Sequence, residues 1–220
     1  MLEKFRKDII GEFLKESGSI QMDCGIYTDM KYPKLLPMMK FHTEKFEVPD
    51  FGNLFIMRTD AMGKMHLMTS SFMPNKGKAV PYLLIDLMSM GKKRVAFVEY
   101  YNCTGRKLPS EKLEEAAARY KEIEDYVEKP AWYVERRMKG SLIKAGRADQ
   151  EALLLEMIRS SIQAYAEMIQ EAETDPGCLK GLAAFRDEML QKGNPSGATL
   201  TKVLGREGAE TFMRNMVMPL

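Results

Sequence analysis

Apolar residues recur at helical spacing over the first sixteen positions. Leu2, Phe5, Ile9 and Phe13 fall on one face, and the run ends at "SGS" (17–19), which predicts a helix over 1–17. Residues 20–40 show no sustained period, and Pro33 and Pro37 interrupt any long element, so this stretch reads as irregular. The period then changes. "HTEKFEV" (42–48), "NLFIMRT" (53–59), "KMHLMTSSFM" (64–73), "YLLIDLMSM" (82–90) and "RVAFVEYY" (94–101) read as five strands. "PDFG", "DAMG", "PNKGKAVP" and "GKK" separate them, all of turn-forming composition. Connections this short favour antiparallel pairing, because a parallel crossover needs a dozen residues or more. The expectation is an antiparallel sheet over about 42–101.

From about residue 109 the pattern becomes helical again. Ser110 stands as an N-cap, followed by Leu113, Ala116, Tyr120, Ile123 and Val127 on one face. A long helix is predicted from about Asp149 to Ala172, stopped by "ETDPG". Shorter ones are predicted over 179–191, 197–204 and 206–217, with Gly205 as the break. No composition shift or internal repeat divides the chain, so 1–220 reads as a single α+β domain with helices packed on a sheet.

Composition excludes more than it assigns. The chain has 220 residues, 29% of them charged, and a formal net charge of +2, which gives no argument for nucleic acid. No apolar stretch approaches the roughly 18 residues of a membrane span. The charged opening "MLEKFRKDII" is not a secretory signal, and the expected compartment is the cytoplasm. Cys24, Cys103 and Cys178 lack metal or disulfide spacing, and His42 and His66 are too few to argue for a metal. No phosphate-binding glycine fingerprint and no GxSxG elbow occurs, so no flavin or nicotinamide site is argued. The nineteen methionines read first as core filler and second as the lining of an adaptable pocket.

One residue breaks its local pattern. Asp86 sits inside "LLIDLM", and alternation places Leu84, Asp86 and Met88 on one face and Leu83, Ile85 and Leu87 on the other. Both faces are apolar, so the strand is expected to be central and covered on both sides. Asp86 then either finds a partner, such as Arg58, Arg94 or a backbone N–H, or faces a cavity as a carboxyl of raised pKa. His66 reads as a solvated rim residue. "GKKR" (91–94) reads as a charged hairpin turn and "ERRMKG" (135–140) as a solvated helix face, either of which offers a docking patch for an acidic protein.

The stretch from Pro49 to Asp86 also resembles the central sheet of the ferredoxin-dependent bilin reductases. Pro49 and Phe51 fit the family's strand start, Pro74 its strand-ending proline, and Pro81 the proline five residues before a key aspartate, onto which Asp86 falls. "KPAWYVE" (129–135) is similar to the family's Pro-Trp segment, and "NPSGATLTKVLGREGAETFMRNMVMPL" to its terminal block. The resemblance implies an α/β/α sandwich, with an antiparallel sheet flanked by helices on both faces. A linear tetrapyrrole would lie between the sheet and the C-terminal helices. It further implies no bound metal or flavin, an external ferredoxin-type protein as electron donor, and Asp86 as proton donor. Leu84, Met88, Met57, Thr69 and Asn194 would contact the ligand. The last three stand where the family carries a glutamate (in the phycocyanobilin-forming member), frequently a histidine, and often an aspartate. Two readings of function follow: a bilin reductase-like oxidoreductase, or a non-catalytic binding protein for a tetrapyrrole or other flat apolar ligand. The bland alternative is an interaction domain with Asp86 locked in an internal ion pair.

Overall fold

A computed structural model describes residues 1–62 and 65–220. Helix α1 runs continuously over 2–16, its middle turns (Phe5–Ile10) widened to π spacing, and buries Leu2, Phe5, Ile9, Ile10 and Phe13. The sheet has eight antiparallel strands. They are β1 (Ile20–Met22), β2 (Asp29–Tyr32), β3 (Met39–Val48), β4 (Gly52–Ala61), β5 (Met65–Met73), β6 (Tyr82–Met90), β7 (Lys93–Tyr101) and β8 (Leu142–Arg147). Their order is β1-β3-β4-β5-β6-β7-β8, with β2 also paired to β3. The five expected strands are β3 to β7. The expected start of β5 at Lys64 lies outside the described residues.

Three strands depart from the expectation. β1 and β2 occupy the stretch read as irregular, and β8 lies in the part read as helical. The first two are three and four residues long and mostly exposed, so no apolar alternation marks them. In β8 one of the two buried positions is a charge: beside Leu142, Lys144 is buried, donates to the Ile123 carbonyl at 3.0 Å and pairs with Asp125 at 2.6 Å. A satisfied buried ammonium hides a strand from any hydrophobic count.

Among the described residues four further α-helices follow: α2 (Glu111–Ala118), which stops short of the expected face through Val127, itself exposed, then α3 (Glu151–Glu171), α4 (Cys178–Lys192) and α5 (Gly197–Phe212). α5 breaks at Gly205, whose φ of 75° suits glycine, and runs on into a π turn at Met213–Val217. Because strand side chains alternate, the sheet feeds two cores. Leu54, Ile56, Phe72, Leu83, Ile85 and Leu87 pack against α1, α2 and α3. Phe55, Met57, Met73, Tyr82, Leu84 and Tyr101 pack on the other side against α4, α5 and the final turn. The result is the α/β/α sandwich that the family resemblance implies. Gly181 sets how closely α4 approaches, since a Cβ there would lie 1.6 Å from the Cys103 carbonyl oxygen.

Candidate functional site

Antiparallel register brings distant sequence positions into one row. Met57 on β4 lies opposite Thr69 on β5, which lies opposite Asp86 on β6. All three face the α4–α5 side. Two residues earlier on β6, Leu84 lies opposite Ser71 and Glu99. Over this patch sits a cavity of about 50 Å³, floored by Phe55, Met57, Thr69, Tyr82, Leu84 and Asp86. Its roof comes from Met189 on α4, the Asn194–Ser196 loop, Leu200 on α5, and Met213, Val217 and Met218. The final segment is held down by the Ser71 hydroxyl, which donates to the Val217 carbonyl at 2.7 Å, and by Asn75, which donates to the Pro219 carbonyl at 3.0 Å.

Five of the six expected site residues therefore meet in one cavity: Asp86, Met57, Thr69, Leu84 and Asn194. Met88 shares the face of Asp86 but lies outside the lining, one row further along the strand. Asn194 has a structural task as well. Its amide donates to the Met189 carbonyl at 3.3 Å, and its Oδ1 accepts from the Ser196 N–H at 3.2 Å, closing the turn before α5.

Asp86 is half-buried, with part of its surface open to the cavity. Its carboxyl accepts a hydrogen bond from Thr69 Oγ1 and has no cationic partner among the described residues. Neither arginine considered from sequence reaches it: Arg58 pairs with Glu3 and Asp60, and Arg94 with Glu151. Removal from water pushes the Asp86 pKa up from 3.8 to about 7. The Thr69 hydrogen bond opposes that rise, and the negative charge of Glu99 adds to it. The group can hold a proton near neutrality and release it within the cavity.

Glu99 was not legible as a site residue. It is buried on the same sheet face, where it accepts from Tyr101 Oη and from Arg137 Nε, each at 2.7 Å. Burial raises its pKa, while Arg137 and Tyr101 pull it down. Arg137 also clasps Glu128 at 2.7 Å. The alternation of Val95, Phe97, Glu99 and Tyr101 along β7 was the signal available. "ERRMKG" is solvated only in part and is not a helix face: Glu135, Arg136 and Lys139 are exposed, but Trp132–Arg136 is a 3-10 turn, Arg137 is half-buried against Glu99, and Arg136 pairs with Glu188 at 3.0 Å. Lys92 and Lys93 do sit exposed at the β6–β7 hairpin turn. His66 is a rim residue on the α1 side, 2.5 Å from Asp60. Among the described residues no group of three or more His, Cys, Asp or Glu is placed to hold a metal ion.

No protein-family model matches the sequence, and no curated protein matches it. A solved structure does: the crystal structure of selenomethionine phytochromobilin synthase from tomato in complex with biliverdin. The match covers 99% of this chain and 82% of that chain, with a TM-score of 0.78 at 10% sequence identity. The fold expected from the resemblance to the bilin reductases is thus the fold found, and this chain shares its architecture with tomato phytochromobilin synthase.

Proposed function

We propose that this chain binds a linear tetrapyrrole between the sheet and helices α4 and α5, and reduces it with Asp86 as proton donor and a ferredoxin-type protein as electron source. The observation that carries the reading is the Asp86 carboxyl, opening onto a cavity with a hydroxyl rather than a cation as partner. The shared fold with a protein solved in complex with biliverdin supports the ligand class. Adding two electrons from the ferredoxin-type donor to a tetrapyrrole double bond requires two protons; Asp86 supplies one at the face of the ligand and water supplies the other. A cavity of about 50 Å³ is small beside the roughly 300–1,000 Å³ of ordinary ligand sites. Its roof must therefore give way on binding. Met189, Met213 and Met218 suit that task, because unbranched thioether side chains repack readily.

A second reading, binding without turnover, is favoured by Met57, Thr69 and Asn194, which leave Asp86 as the one acid in the cavity lining. Absorption titration with biliverdin, followed by an anaerobic ferredoxin reducing system, separates the two. A bound bilin band that decays to a new chromophore over several turnovers establishes the reductase. A bound band that persists establishes the binding protein, and no band shift removes both.

A further inference from the structure

β2 and β3 are joined by residues 33–38, a loop that covers nothing. Leu35 is 99% exposed, Leu36 79% and Met38 48%. Met62, whose N–H donates to the Met38 carbonyl at 2.8 Å, is 67% exposed beside them. Pro33 and Pro37 bracket the two leucines and restrict the loop, which lowers the entropy lost when it is held against a partner. Contiguous apolar exposure of this kind marks an interaction site.

The charged residues of the loop and of its flanking β2–β3 rung are lysines, and the nearest exposed acid is Asp29, two residues before Lys31. Lys31, Lys34 and Lys40 are all exposed, and none forms an ion pair among the described residues. Lys31 lies directly opposite Lys40 across the β2–β3 ladder, an arrangement that costs stability through like-charge repulsion. Asp60, opposite Lys40 on β4, is engaged by Arg58 and His66 instead. Asp29 pairs with His42 at 2.9 Å. The lysines are left facing outward around the apolar tip.

We propose that this loop docks the protein on an anionic lipid bilayer, with Leu35 and Leu36 entering the boundary between headgroups and acyl chains and the lysines among the headgroups. Aliphatic side chains ringed by lysine suit such an interface. A second copy of the chain fits poorly, because a two-fold contact would oppose lysine to lysine. An acidic protein fits less well than a membrane. Leucine is under-represented among the anchors of protein interfaces, and side chains that project almost free need a preformed pocket in a protein but none in a fluid bilayer.

The test is co-sedimentation of the full chain with phosphatidylcholine vesicles, with and without phosphatidylserine. Binding is expected on the anionic vesicles, with weakening by salt. Lys34→Ala should weaken it roughly fivefold, the factor expected per basic residue at an anionic surface. The double change Leu35→Ser, Leu36→Ser should weaken it at least about tenfold, given the apolar area withdrawn. Both variants alter exposed side chains only, so an unchanged unfolding midpoint confirms that they fold. Failure of the wild-type chain to sediment with anionic vesicles overturns the proposal. So does equal binding with and without phosphatidylserine, or equal binding by the double serine variant. A concentration-dependent dimer dissolved by the serine changes, with no vesicle binding, assigns the loop to a second copy instead.

Discussion

Asp86→Asn keeps the shape of the side chain and an oxygen able to accept the Thr69 hydrogen bond, while removing the ionisable proton. In the folded chain burial sets the Asp86 pKa near 7, whereas the unfolded chain leaves it at its ordinary 3.8. Below the lower value both states are protonated and the carboxyl costs nothing. As pH rises between the two values the unfolded chain loses its proton and is stabilised, while the folded chain still holds on to its own. Folding stability therefore falls across that window, and above about 7 the loss is complete. At 1.36 kcal/mol for each pH unit separating the two values, the full loss is about 4 kcal/mol. Solvent reaching the half-open carboxyl lowers this to about 2–4 kcal/mol. Asn carries no such penalty. The variant should match the wild type near pH 4 and be about 2–4 kcal/mol more stable near pH 8, the difference growing between them. Urea unfolding of both proteins across this range measures it, with other titrating groups common to both curves. A difference that does not change with pH would refute the reasoning. A variant less stable than the wild type at pH 8 would show that Asp86 is a paired, stabilising carboxylate.

Three further outcomes follow from the packing. Arg137→Met strands Glu99 and Glu128 and should cost about 3–5 kcal/mol in denaturant unfolding, most of it recovered when Glu99→Gln is added; a loss under about 1 kcal/mol would contradict the buried pair. Gly181→Ala drives a Cβ into the Cys103 carbonyl and should lower stability by about 1–3 kcal/mol or more, read as a fall in thermal midpoint that an unchanged midpoint would refute. Ser71→Ala leaves the Val217 carbonyl without its donor and should cost about 1–3 kcal/mol. It should also speed exchange of the backbone amides over 213–218 in hydrogen-exchange measurements, and unaltered exchange there would show that Ser71 does not hold the roof.

The sheet was legible where its chemistry is simple. β3 to β7 alternate or run apolar, and their bounds follow from turn residues within about three positions. β8 was not legible, because Lys144 holds a core position and its partners, Asp125 and the Ile123 carbonyl, come from another segment. β1 and β2 lie on the outer edge of β3 and bury almost nothing, so no hydrophobic period betrays them. The site divides the same way. A carboxylate inside "LLIDLM" announces itself, and strand alternation places Leu84 beside it. Glu99 stands in a similarly apolar run, "AFVEYY", and alternation marks it, but its partner Arg137 lies 38 residues away and no local pattern points to it. The roof of the cavity depends on how α4 and α5 lie over the sheet, which no local pattern encodes. "ERRMKG" misleads for a related reason: three cations in six residues imply solvent, yet one of them serves two glutamates.

The central claim is that Asp86 donates a proton to a tetrapyrrole bound against it. The direct measurement follows the absorption of bound biliverdin in wild-type and Asp86→Asn protein side by side, under an anaerobic ferredoxin reducing system. Both proteins should shift the bilin band on binding. Decay of that band should be at least about a hundredfold slower in the variant, the usual loss when a positioned acid is removed. Equal decay in the two proteins, or binding by neither, would contradict the account.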